Sequence, residues 1–231
     1  MTANVNLING YTIDEYATLA FSLSPSSATG FGAGGVFTGP IDKAAGAKPW
    51  HSQFTSPNNS TARARFIQVP PGKIFVRWAR MRDRDWKVAA SGPWWVSDNM
   101  ADFIVRKTSE LYGGHGETGP IARQYSQVLP SWNDMGTVVV CKTTQSVKVL
   151  AGIGRPVAGV PTPVAGMPDG IQVIMLTTII SPKDPSRRRF IGDQYLQNLW
   201  IGSSRDFTTW WLKQHFISKR RVAQRVARTG K

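Results

Sequence analysis

Cysteine is almost missing from this chain: Cys141 stands alone among 231 residues. No intramolecular disulfide can form, and one thiol cannot build a cysteine-based zinc site. The histidines His51, His115 and His215 are too far apart for metal-ligand spacing, so no metal is expected. Apolar runs are short, and none approaches the roughly 18 residues of a spanning helix, so no membrane partner is expected. The N-terminus has no basic segment followed by an apolar core, which argues against a secretory signal in this chain. Glutamate is scarce, with only Glu15, Glu110 and Glu117. The run GFGAGG lacks the Lys-Ser/Thr that would make it a phosphate loop. There is no internal repeat, no Ser-His-Asp order and no paired-carboxylate spacing, which excludes the common hydrolase patterns.

Positive charge, by contrast, is abundant. Lys and Arg number 28 against 14 Asp and Glu, a net charge of +14. Such an excess points to a polyanionic partner, such as nucleic acid, an acidic protein or an anionic surface, although it also serves plain solubility. Hydrophobic residues make up 41 % and charged residues 18 %, so the chain can fill a core. The length suits one large domain, or one domain with extensions.

Three regions are expected: an N-terminal helix and irregular arm over 1–63, an α+β core over 64–182, and a basic helical extension over 183–231. In the arm, Thr12 and Glu15 have capping-box spacing for a short helix within residues 1–22. Residues 23–62 read as a long irregular segment rich in Ser, Gly, Ala, Pro and Asn.

The core opens with a strand through Phe66–Val69, the turn Pro70-Pro71-Gly72 and a strand over Ile74–Trp78. Arg80 to Asp85 alternates charges and reads as an exposed connection. After Gly92-Pro93 comes a second apolar run, Trp94-Trp95-Val96, ending in Ser97. Asp98 is the expected cap of a helix over Met100–Leu111, with Phe103, Ile104 and Leu111 inward. Residues 113–120 read as a flexible loop. Strands are expected at Thr137–Lys142 and Ser146–Leu150, then a Gly/Pro-rich loop over 151–170, then a strand Ile171–Leu176.

The last 46 residues hold eleven Lys/Arg against Asp193 and Asp206, and so carry +9 of the +14. Phe207, Trp210, Trp211, Phe216, Val222 and Val226 recur at helical spacing, which predicts an amphipathic helix with a basic side. Arg187, Arg188, Arg189, Lys219, Arg220, Arg221, Arg225 and Arg228 are the candidates for gripping nucleic-acid phosphates without sequence readout.

The segments FVRWA, GPWWVSDNMADF and AGMPDGIQVIML, between residues 73 and 177, carry a resemblance. A strand ending in Arg, then Gly-x-Trp-Trp-x-Ser opening a helix, then a Gly/Pro-rich loop feeding a Gly-x-Gln strand resembles the ADP-ribosyltransferase fold. The likeness is to the toxin-type domains of bacterial effectors. It implies a small split-sheet core and NAD as substrate, cleaved at the nicotinamide–ribose bond. Arg77 would hold the diphosphate, with Arg80 as the alternative ligand; Ser97 would bond the nicotinamide ribose; Trp94 or Trp95 would pack near the nicotinamide. Gln172 takes the place where most members carry glutamate.

That difference favours either transfer to a nucleophilic acceptor or plain hydrolysis by an NAD glycohydrolase, because glutamine brings a hydrogen bond but no charge to an oxocarbenium-like centre. Asp169 or Glu117 would be the source of a missing carboxylate. With the basic C-terminus, the resemblance implies nucleic acid as acceptor, RNA ahead of DNA. It also implies an acidic immunity protein as a partner, and a secreted effector acting in a target cell's cytoplasm.

Plain structural roles suit the same residues. Arg77 reads equally as a surface or ion-pairing arginine, Trp94 and Trp95 as core, Ser97 as a helix cap, and Gln172 as an ordinary strand residue. His115 reads as solvent-exposed. A non-enzymatic nucleic-acid-binding or viral structural protein would share the polar arm, the scarce glutamate and the basic end.

Overall fold

The turn at Pro70–Gly72 sets the first corner of the fold. Its conformation needs φ of +85° at Gly72, which a residue with a Cβ adopts only under strain. Strand β4 (Ala64–Val69) enters the corner and β5 (Ile74–Ala79) leaves it. The two do not pair with each other. β5 pairs with β7 (Thr137–Thr143), while β4 pairs with β8 (Val147–Gly154), all antiparallel. The chain therefore crosses the same corner twice. Thr143 ties the crossings together: its N–H donates to Lys73 O at 2.9 Å and its carbonyl accepts from Gly72 N at 2.7 Å. Its hydroxyl donates to Pro70 O at 2.9 Å, and Gln68 bonds Ser146 beside it.

This computed structural model describes residues 7–8, 11–12, 54–55, 64–92, 94–128, 130–131, 133–154, 160, 171–175, 177–181 and 184–214. Within them the architecture is α+β. The hinge of the sheet is β6 (Trp94–Ser97). Its first half pairs with β9 (Ile171–Ile174), Trp95 opposite Val173, and its second half with β5, Ser97 opposite Phe75. One half-sheet is thus β12–β7–β5–β6, with β12 (Leu196–Ser203) at the edge. The other is β6–β9–β8, where β8 also takes β4 and the short β3 (Phe54–Thr55).

Alternation along the strands divides the interior in two. Val76, Trp78, Val138 and Val140 point to the helices, while Phe75, Ala79, Val139 and Cys141 point between the half-sheets. The second layer is completed by Val69, Trp95, Val147, Val149, Val173 and Leu196. Each fully buried residue of this size stabilises by about 1.5–3 kcal/mol relative to exposure. Burial pushes the Cys141 thiol up to about 12, so it stays protonated and unreactive near neutrality.

The helical layer begins with α1 (Trp86–Ala89), capped by Asp85, whose carboxylate accepts from Lys87 N at 2.7 Å. Then α2 (Asp98–Tyr112) buries Met100, Ala101, Ile104, Val105 and Thr108, an i, i+4 stripe. Its cap is Ser97 and not Asp98, and Leu111 is 54 % exposed because it falls off that stripe. Phe103 is half-buried, edge-on to Tyr125 at 5.0 Å. A further helix, α3 (Gly119–Ser126), starts where the sequence predicts loop; Pro120 sits in its first turn, where the missing N–H costs nothing. The last described helix, α4, takes in the described residues 204–214 and buries Phe207 and Trp211.

Other expectations need correction. Leu7–Ile8 (β1) and Tyr11–Thr12 (β2) pair as strands, so Thr12 caps no helix; the remainder of that predicted helix lies outside the described residues. β8 continues through Gly154 into the predicted loop. Residues 184–190 and 196–203 are extended rather than helical, with one 3-10 turn at Gly192–Gln194 between them: β10 (Thr178–Ser181) pairs with β11 (Asp184–Phe190), and β12 joins the main sheet.

Candidate functional site

Arg77 sits on β5 between Phe75 and Ala79, so strand alternation turns it toward the layer between the half-sheets. The residue is half-buried there, and its guanidinium bonds to main chain. Nε donates to Ala89 O at 2.8 Å, and one terminal nitrogen donates to Trp94 O at 3.0 Å. These carbonyls flank the connection from α1 to β6, and Gly92 lies between them. A Cβ on Gly92 would fall 1.9 Å from the other terminal nitrogen, so only glycine allows this approach. Thr178 donates to Ser91 O at 3.0 Å and Thr177 to Gly92 O at 3.4 Å, which completes a bracket around the arginine.

Three of the five guanidinium N–H groups remain beyond these two bonds. Among the described residues Arg77 forms no ion pair. Desolvation lowers its pKa from 12.5 to about 10, and the charge of Asp83 pulls weakly the other way. At neutral pH it is still a cation. A half-buried cation with spare donors and no carboxylate partner is suited to receive an anion.

Ser97 stands diagonally across from Arg77 on the neighbouring strand, since Phe75 is its direct partner. Such diagonal neighbours share a face about 7–8 Å apart. The Ser97 hydroxyl accepts from Met100 N at 3.4 Å, a long cap bond that leaves its own proton free to donate. The cap and the site role are therefore compatible. Trp95 is 1 % exposed on the same face, and its indole N–H has no partner among the described residues. Trp94 is half-buried, and its main-chain carbonyl serves Arg77.

The other candidates fall elsewhere. Gln172 lies on β9 opposite Gly152, in the alternate strand phase to Val173, the partner of Trp95; its side chain is outside the described residues. Arg80 is exposed past the end of β5, out of strand phase with Arg77. Glu117 is on the helical side, exposed, and accepts from the Ser204 hydroxyl at 2.9 Å, so it does not join Arg77 and Ser97. His115 is exposed, 3.3 Å from Thr209 Oγ1. Asp169 lies outside the described residues. Arg187, Arg188 and Arg189 lie on β11, with Arg188 opposite Ile180 and Arg189 opposite Ile179. Lys219, Arg220, Arg221, Arg225 and Arg228 lie outside the described residues.

The sequence reading missed the bracket of Gly92, Thr177 and Thr178. Its one signal was the Ser91-Gly92-Pro93 break, which marks a turn but not what the turn encloses.

No protein-family model matches the sequence, and no curated protein matches it. Among solved structures the chain is similar to one described as the structure of Tne2 in complex with Tni2. The identity is 19 % over 61 % of this chain and 91 % of that one, with a TM-score of 0.30. A likeness at that level carries no argument about fold or activity.

Proposed function

We propose that this chain cleaves the nicotinamide–ribose bond of NAD and passes the ADP-ribose to a nucleic acid, with water as the competing acceptor. The observation that carries the reading is Arg77, a half-buried cation with spare donors and no ion-pair partner among the described residues. Its free N–H groups would take the diphosphate oxygens, for which a guanidinium fork is better suited than an ammonium. Ser97 would bond the nicotinamide ribose, Trp94 or Trp95 would pack near the nicotinamide, and Gln172 would bond the ribose hydroxyl.

The chemistry that follows is dissociative. The C–N bond breaks and its electron pair stays on nicotinamide, which leaves neutral. The ribose carbon is left oxocarbenium-like until a hydroxyl or amine of the acceptor attacks it and releases a proton. Gln172 has no charge with which to stabilise that cation, so the proposal places the diphosphate grip and the orientation of the ribose ahead of electrostatic catalysis by the chain. The +14 net charge supports a nucleic-acid acceptor, and RNA is the form proposed. The same basic surface suits an acidic inhibitory protein.

The test is nicotinamide release by purified protein, with and without cellular RNA. Release that rises with RNA, labels the RNA and disappears in Gln172→Ala supports transfer. Release indifferent to RNA, with free ADP-ribose as product, reduces the activity to hydrolysis. No release under either condition overturns the enzyme reading and leaves a basic binding or structural protein.

A further inference from the structure

Four tryptophans gather where β12 turns into α4, and they divide into two kinds. Trp78 and Trp211 are buried with their indole N–H groups bonded, to Thr118 Oγ1 at 3.0 Å and to Asp102 Oδ1 at 3.3 Å. Phe207 lies between them, edge-on to Trp78 at 5.6 Å. These are core residues, each with its polar atom satisfied.

Trp200 and Trp210 differ. Both are half-buried, and neither indole N–H has a partner among the described residues. Their rings stack on each other with centroids 4.9 Å apart and planes 18° apart. Trp200 belongs to β12, the edge strand among the described residues, so on one side it has no described neighbouring strand. Its ring lies against Gly202, where a Cβ would come within 2.4 Å of the indole. A strand glycine weakens its strand, and here it allows the ring to lie flat along the sheet edge.

Lys213 brings positive charge beside Trp210, and Arg205 adds another at the start of α4. Arg205 and Lys213 on α4 are exposed and form no ion pair among the described residues. Lys213 is one helical turn from Trp210. The nearby acid, Asp206, is held by the Ser203 hydroxyl at 2.6 Å as part of the cap of α4. The sequence that continues from α4, residues 215–231, adds six Lys/Arg and no acid.

From these observations we propose that Trp200 and Trp210 form a stacking ledge for unpaired bases of a single-stranded nucleic acid, with Lys213 and Arg205 on its phosphates. Half-buried flat aromatics, packed on Phe207 beside cations with no ion pair among the described residues, meet both needs of such a ligand, base faces and backbone charge. Duplex bases are already stacked and would gain nothing from the ledge. The surface is separate from the Arg77 site and does not depend on NAD chemistry.

The test uses the full chain and a fluorescently labelled ten-nucleotide oligo(U), with binding read by anisotropy over a salt series. An abasic oligomer of the same length serves as the control for charge alone. The wild type is expected to bind oligo(U) at least tenfold tighter than the abasic oligomer. Trp210→Ala is expected to erase that difference while keeping its salt slope, and Lys213→Glu to flatten the slope while keeping the difference. Circular dichroism melts establish that each variant is folded; Trp210→Phe, which keeps an aromatic face, is expected to restore part of the preference. Equal binding of both oligomers by the wild type, or an unchanged preference in folded Trp210→Ala, overturns the ledge. Because no NAD is present, failure here leaves the proposed reaction untouched, and the reverse holds as well.

Discussion

The two faces of β5 and β7 are built from neighbouring residues in one chain and have opposite characters. Toward the helices, Val76, Trp78, Val138 and Val140 meet Phe207 and Trp211 in a layer whose buried indoles are bonded. Toward the second half-sheet, Phe75 and Val139 flank a guanidinium that leans on main-chain carbonyls, beside a tryptophan whose N–H has no partner among the described residues. A stability-driven interior avoids both features, because uncompensated polar groups cost free energy. Under the proposed function, the helical face holds the fold while the inter-sheet face holds the candidate site. Each substitution below tests that division.

The largest effect is expected on the helical face. Phe207→Ala removes a fully buried ring between Trp78 and Trp211 and is expected to cost about 3–5 kcal/mol, read by urea denaturation. Turnover per folded molecule should not change. Next comes Gly92→Ala, whose Cβ must push the Arg77 guanidinium away from its carbonyls. The expected loss is about 1.5–3 kcal/mol, the worth of one charge-assisted bond. Here turnover should fall by far more than the folded fraction does. A Gly92→Ala protein that loses stability but keeps turnover would make the bracket purely architectural.

Ser97→Ala comes third. Its cap bond is long at 3.4 Å, so the stability cost should sit at the low end, about 0.5 kcal/mol. If the hydroxyl also holds the ribose, KM for NAD rises well beyond what that cost explains. The smallest effect is expected from Lys87→Met, which breaks an exposed ion pair with Asp193 at 2.8 Å. Its melting temperature should stay within the scatter of replicate scans, and salt should not separate it from wild type.

The strands were legible where punctuation framed them. Pro70-Pro71-Gly72 and Gly92-Pro93 precede β5 and β6, and the β-branched run at 137–140 marks β7. Helix α3 was hidden because Gly119 and Pro120 read as breakers, although a proline is favoured at a helix start. Thr12 misled because capping-box spacing is short-range, while its strand pairing with Leu7 reflects a contact that pattern does not encode.

Of the candidate site, the strand positions of Arg77 and Ser97 were legible because both end apolar runs. The bracket was out of reach: the acceptors on Ala89 and Trp94 are main-chain carbonyls, which every residue has, and Thr178 lies 87 residues from its acceptor Ser91. The C-terminal region was read by charge, which concealed that Leu196 to Ser203 pairs with β7.

The claim that Arg77 is an anion holder and not only a clamp for its own loop is the one most open to a direct test. The measurement is calorimetric titration of ADP-ribose, which carries the diphosphate without the labile bond, into wild type and Arg77→Lys. Lysine keeps the charge but has no fork with which to span Ala89, Trp94 and a diphosphate at once. The account predicts saturable binding by the wild type and at least tenfold weaker binding by a variant that is still folded. Absent binding in the wild type, or equal affinity in the two proteins, would contradict it.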